Sequence, residues 1–261
     1  FADKYQPGMG MGWWGTHFGR HQTWFEPGKE FFRYLARCQA LLQYGEQHAD
    51  YLCVDKLQGF SDLISARDFI SLDIAVDSGR LILPSGRRYS FIVFSDSLML
   101  PETVVKIKEL VSAGAVVVSP KPLKSPSLQN YPECDTEIKT IADEVWGSHG
   151  HMSYGKGFVF TKLEDAIERR GIRPDFIIEK ASWPDQIKIV RRTSRDTDIY
   201  FVANLSESRQ KCRISFRTSG KQPELWQAEN GSINIAPVWE EKDGRTSVEM
   251  NLKGTQSVFV V

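Results

Sequence analysis

YSFIVFSDSLMLPETVVKIKELVSAGAVVV, residues 89–118, decides the fold of this chain. It opens on a run of aromatic and β-branched side chains, the composition of a strand buried on both faces. Pro101 then starts a helix, because a missing N–H costs nothing at a first helical position. Val104, Ile107, Leu110 and Val111 recur at helical spacing as its inward stripe, and Gly114 stops it. Ala115, Val116, Val117 and Val118 form a second buried strand. Strand, helix and strand in this order make a right-handed βαβ unit, which belongs to a parallel sheet.

The unit extends in both directions. Upstream, residues 49–54 read as a strand and 60–72 as a helix. Residues 74–76 and 80–83 read as short strands joined by the turn signal Asp77-Ser78-Gly79. Downstream, 135–146 read as a helix and 157–160 as a strand. Residues 49–160 are therefore expected to form an open α/β domain of flavodoxin-like layout. A short amphipathic helix at 163–170 is closed by Gly171 and Pro174, and there the composition shifts. From Ile187 onward the pattern is period two, with strand-like segments at 187–192, 198–204, 211–216, 223–226, 246–250 and 257–261. Turn signals at 204–208, Ser219-Gly220, Asn230-Gly231 and Asp243-Gly244 separate them. Short, evenly spaced strands predict an antiparallel β-sandwich over 161–261.

The amino-terminal end is of another kind. GMGMGWWGTHFGRHQTW, residues 8–24, holds three Trp, two His, one Arg and five Gly, with no carboxylate. Gly weakens helices and strands alike, so this is an irregular loop. A loop carrying Trp13, Trp14 and Trp24 lines a concave surface: sugars present C–H faces to indoles and hydroxyls to groups such as His17 and His21. Those five side chains are the candidate substrate-binding residues. Pro27 and Gly28 lead into a helix predicted over 30–47, with Phe31, Tyr34, Leu35, Cys38, Leu41 and Leu42 on its apolar stripe and Gly45 near its end.

Other chemistries fare worse. The glycines at 8, 10 and 12 lack the preceding strand, following helix and downstream acid of a dinucleotide site. His17 and His21 have metal-ligand spacing only on a helix, which Gly15 and Gly19 disfavour. Cys53 ends a strand, but Val54-Asp55-Lys56 offers no nucleophile elbow, and a buried core thiol is expected. Glu26 and Glu30 flank a helix start, where carboxylates suit the dipole. His149-Gly150-His151 reads as a solvated turn. The four cysteines have neither disulfide-framework nor metal spacing and read as buried thiols.

Lys plus Arg equals Asp plus Glu at 33 each, which points to no polyanionic partner such as nucleic acid and to no membrane surface. A hydrophobic fraction of 41% with 25% charged residues is that of a soluble globular protein. No apolar run is long enough to span a bilayer.

The loop and the helix after it resemble the tail of the catalytic domain in glycoside hydrolase family 106, the α-L-rhamnosidases. There a "MxxGxWGTHFxRxQTWW" loop precedes a "RYLARCQxLLQxG" helix, and this chain reads MGMGWWGTHFGRHQTWF and RYLARCQALLQYG. DIYFVANLSE (198–207) and FRTSGKQPELWQAENG (216–231) are similar to the family's terminal sandwich. The resemblance implies that residues 1–48 end a (β/α)8 barrel, a fold that needs about 250 residues in full. It implies a parent enzyme that hydrolyses terminal α-L-rhamnosyl linkages with inversion, a base-activated water attacking while an acid protonates the leaving oxygen. Calcium assists sugar binding in that family. Neither the carboxylate pair nor calcium ligands match a position here, so no catalytic residue and no metal ligand is assigned, and the fragment is expected to carry no cofactor. Both sets are expected upstream of Phe1, which follows no Met, basic region or apolar region and is read as an internal position. The partners implied are a rhamnose-containing oligo- or polysaccharide and the chain's own missing barrel. The location implied is extracytoplasmic. Two alternatives remain open: a non-catalytic carbohydrate-binding or interdomain module, and a hydrolase of the same architecture with another sugar specificity.

Overall fold

The computed structural model describes residues 12–59, 61–147 and 151–261. The chain is mixed α and β, with its strands in four sheets. It divides into two compact units: His48–Arg173, and residues up to Gln47 together with Pro174–Val261.

The His48–Arg173 unit is built on a six-stranded sheet. Its spatial order is Asp62–Ile64, Tyr51–Val54, Phe91–Phe94, Val116–Val118, Gly157–Phe160 and His151–Tyr154. The first five strands are parallel and the last is antiparallel. In chain order the parallel strands run 2-1-3-4-5, the flavodoxin-like arrangement expected from the sequence. The strands split their residues by alternation. Leu52, Val54, Ile92, Phe94, Val117 and Val159 enter one core with the helices Ala66–Ser71 (α2), Pro101–Ala113 (α3) and Glu133–Trp146 (α4). Tyr51, Cys53, Phe91, Val93, Val116 and Val118 enter the other, under a helix at Leu163–Arg170 (α5). Burial on both faces explains why these strands read as continuous apolar runs.

In the other unit, every strand pairing is antiparallel. One sheet runs Glu46–Gln47, Ile187–Thr193, Asp198–Asn204, Ser257–Val260, Glu224–Trp226 and Ile233–Ile235. The second runs Phe176–Lys180, Gln210–Phe216, Arg245–Leu252 and Trp239–Lys242. Ile189, Val202 and Val258 of the first share a core with Ile214, Val248 and Met250 of the second. At its margin Arg191 is held between Asp175 and Asp198, at 2.7 Å from each, with its guanidinium 5.3 Å from the Tyr200 ring centre. Burial works to raise the Asp198 pKa, but hydrogen bonds and charge from Arg191 and Lys221 outweigh it and hold the carboxyl below its ordinary value.

Two expected helices need correction. Residues 60–72 are not one helix: Phe60 lies outside the described residues, Asp62–Ile64 is a strand paired with Leu52–Val54, and α2 starts after Ser65, whose hydroxyl accepts the Asp68 N–H. An N-cap at Ser65 and the ladder upstream of it outweigh helix propensity. The helix predicted over 30–47 ends at Leu42, because Gly45 turns at φ +61° and Glu46–Gln47 joins a sheet edge. Arg192 donates to the Tyr44 and Gly45 carbonyls and holds that edge. α5 packs by Ala166 and Ile167 with Phe160 in the core of the His48–Arg173 unit.

Gly157 packs closely in the His48–Arg173 unit. A Cβ there would clash with the Ala115 and Val111 carbonyl oxygens, both backbone atoms that cannot swing away. Gly157→Ala is expected to cost about 1–3 kcal/mol and to lower the melting temperature by several degrees. Gly19→Ala, with open space around it, serves as the control and should melt with the parent chain.

Candidate functional site

The aromatic loop is carried by the helix Gly28–Leu42 (α1). Tyr34, Cys38, Leu41 and Leu42 of α1 pack on Ile199, Phe201, Trp226 and Phe259, the outer face of the six-stranded antiparallel sheet. The Tyr34 hydroxyl shares a hydrogen bond with Ser257 Oγ at 3.0 Å, and Arg37 donates to the Ala228 and Glu229 carbonyls. Burial pushes the Tyr34 phenol and the Cys38 thiol above their ordinary pKa values, so both stay neutral at pH 7. Glu26 and Glu30 are exposed and pair with Lys29 and Arg33.

The loop itself is irregular, as its glycines require. A 3-10 turn spans Gly12–Trp14, with Gly12 at φ +62° and Gly15 at φ +114°. Trp13 and Trp14 lie with ring centres 4.1 Å apart and are 85% and 71% exposed, forming an indole pair open to solvent. A second aromatic group sits closer to the helix. Phe18 meets Trp24 edge-on at 5.2 Å, and both approach Phe32 at 6.0 and 6.3 Å. Gly28 makes room for it, since a Cβ there would touch the Trp24 ring at 2.9 Å. Trp24, His17 and His21 are half-buried, and Arg20 Nε donates to His21 Nε2 at 3.4 Å.

The sequence therefore places the five candidates on one loop, and the structure divides them. Trp13 and Trp14 form an exposed face, whereas Trp24 belongs to a packed aromatic cluster at the helix start. Sequence reading missed Phe18 and Phe32 as members of that cluster. It also put Phe31 on the inward stripe, although Phe31 is 58% exposed and meets Phe32 at 5.7 Å. The helix reaches the sheet only from Tyr34 onward, so its first turn projects past the core. Residues 8–11 of the loop, together with His149 and Gly150, lie outside the described residues. Cys53 is fully buried and accepts a hydrogen bond from Ser61 Oγ at 3.2 Å, as a core thiol should.

Comparison with known proteins bears on what this surface is for. The family model described as alpha-L-rhamnosidase, glycoside hydrolase family 106, matches residues 2–239. This chain belongs to that family. It is 36% identical to a Formosa agariphila protein named "Putative beta-glucuronidase", over 98% of this chain and 22% of that protein. A rhamnosidase structure from Novosphingobium sp. PP1Y aligns with a TM-score of 0.89 and 31% identity, over 100% of this chain and 27% of that one. The chain thus spans about a quarter of these relatives' length. A beta-galactosidase from Bacillus circulans sp. alkalophilus, at 10% identity and a TM-score of 0.52 over 95% of this chain and 46% of that one, shares the fold alone. Among the described residues, no helix is long and apolar enough to cross a membrane.

The exposure of the indole pair predicts its optical behaviour. With Trp13 and Trp14 both changed to Phe, the tryptophan emission most accessible to acrylamide should disappear, leaving a less quenchable remainder. An unchanged quenching curve would mean that the pair is covered in solution.

Proposed function

We propose that this chain is the carboxy-terminal part of an α-L-rhamnosidase that cleaves terminal rhamnosyl linkages with inversion. In this reading α1 and the loop before it end a (β/α)8 barrel, and the two antiparallel sheets sharing one core are its terminal β-sandwich. The observation that carries the reading is the family match over residues 2–239. The loop supports it chemically. Two adjacent solvent-facing indoles suit the C–H face of a deoxy sugar, and His17 and His21 stand on the same loop to reach its hydroxyls. The substrate is then a rhamnose-containing saccharide, met extracytoplasmically, with Trp13, Trp14, His17, His21 and Trp24 contributing to its binding. The acid and base of the reaction belong to the remainder of the longer protein.

A second reading, the same architecture acting on another glycoside, is favoured by the name of the Formosa relative. One experiment separates the two. The longer protein is assayed on aryl α-L-rhamnoside and aryl β-D-glucuronide, beside residues 1–261 alone. Turnover of the rhamnoside by the longer protein, and of neither compound by this chain, is expected, since a lost general acid removes about two to four orders of magnitude by itself. Trp14→Ala or His17→Ala in the longer protein should lower kcat/KM on the rhamnoside about ten- to a hundredfold. Turnover of the glucuronide alone would establish the second reading. Unchanged kcat/KM with a lowered melting temperature would assign the loop to structure.

A further inference from the structure

The His48–Arg173 unit carries a cleft that the rhamnosidase reading does not use. It lies at the amino-terminal ends of the strands Val116–Val118 and Gly157–Phe160, where α3 and α5 end, has a volume of about 500 Å3, and its apolar lining is Val76, Ala113, Val116 and Phe158. Its other lining is charged: Lys156, Arg169 and Arg170, with Asp77 as the single carboxylate.

In the same unit Arg87, Arg88, Lys108 and Lys121 have carboxylate partners, and Lys156, Arg169 and Arg170 form no ion pair with a described carboxylate. In the cleft, Asp77 is engaged by Arg88 and Ser78, and the neighbouring Arg80 adds a further positive charge facing Arg170. The Arg169 Cζ lies 4.0 Å from the centre of the Phe158 ring, a cation–π contact that holds the guanidinium at the cleft. Arg170 is fixed by donating Nε to the Ser90 carbonyl at 2.9 Å and Nη2 to the Gly79 carbonyl. A Cβ on Gly79 would sit 3.0 Å from that guanidinium, so glycine at φ +75° is part of the seat. Burial first, then the charges of Arg80 and Arg169, depress the Arg170 pKa. Arg169 and Arg170 also end α5, where cations suit the helix dipole. That accounts for neither Lys156, from the turn before Gly157–Phe160, nor Arg80, which starts the strand Arg80–Ile82.

We propose that this cleft binds a carboxylate-bearing sugar, with Arg169 and Lys156 holding the carboxylate and Asp77 accepting a ring hydroxyl. A planar guanidinium edge matches a carboxylate in a two-pronged pair. The volume suits a sugar ring rather than a bare ion. Asp77 disfavours a small multiply charged anion and serves a hydroxyl donor. The proposal rests on the carbohydrate reading above and extends it: the protein would grip an acidic saccharide at a place remote in sequence from the aromatic loop.

The test is calorimetric titration of residues 1–261 with D-glucuronate, D-glucose and inorganic sulfate at low ionic strength. Glucuronate should bind, glucose should not, and sulfate should bind more weakly. Raising NaCl to about 0.5 M should weaken the glucuronate signal by screening. Arg169→Gln and Lys156→Gln should each raise the Kd at least about tenfold. Lys156 is exposed and makes no ion pair with a described carboxylate, so Lys156→Gln should melt with the parent chain, whereas Arg169→Gln also loses its contact with Phe158 and should melt slightly lower. Glucuronate affinity no greater than that for glucose, or unchanged in both variants, overturns the proposal. Sulfate binding as tight as glucuronate overturns its assignment to a sugar. Rhamnoside turnover by the longer protein is independent of these outcomes, so either reading can fail without the other.

Discussion

One contact supports everything at the amino-terminal end: the stripe of α1 from Tyr34 to Leu42 against Ile199, Phe201, Trp226 and Phe259. Among its described residues the aromatic loop has no helix or strand beyond the 3-10 turn Gly12–Trp14, so its side chains depend on the helix that follows for their placement. Its geometry is inherited from the helix that follows, and the helix is placed by that stripe. Fully burying an apolar side chain of this size contributes about 1.5–3 kcal/mol, and Phe259 and Cys38 are at the centre of the contact. The Tyr34–Ser257 hydrogen bond and the Arg37 bonds to the Ala228 and Glu229 carbonyls fix the helix along its length. What remains free is the first turn of α1, and the exposed aromatic surface begins there.

The two units distribute chemistry in opposite ways. In the one holding the loop, donors and cations are spent on structure: Arg191, Arg192, Arg213 and Arg245 all bond carboxylates or carbonyls. The surface it offers is aromatic and suits the C–H face of a sugar. In the parallel-sheet unit, Lys156, Arg169 and Arg170 gather around one cleft beside Phe158.

Much of the fold was legible because its cues were local. Pro101 and Gly114 bracket α3 in the structure as in the sequence, and Val104, Ile107, Leu110 and Val111 are all buried. Asp77-Ser78-Gly79 and Asp243-Gly244 turn as their composition demands, with Ser78, Gly79, Asp243 and Gly244 all at positive φ. Misreadings came where a partner distant in sequence decided the outcome. Asp62–Ile64 is a strand because Leu52–Val54 pairs with it. Edge strands such as Ile233–Ile235 and Trp239–Lys242 escaped notice because they are short and exposed, with little alternation to reveal them. The loop's aromatic character was plain, but not which indoles face solvent, since that depends on where α1 leaves the sheet. The basic cleft was invisible, because Lys156, Phe158, Arg169 and Gly79 meet only after the chain has folded.

The central claim is that α1, and with it the loop, is anchored on the antiparallel sheet of its own unit. Native-state hydrogen exchange tests this most directly. The amides around Cys38 should exchange through the same opening as those of Asp198–Asn204 and Ser257–Val260, with equal free energy and equal denaturant dependence. Exchange around Cys38 that is orders of magnitude faster, and insensitive to denaturant while the strands remain protected, would contradict the account.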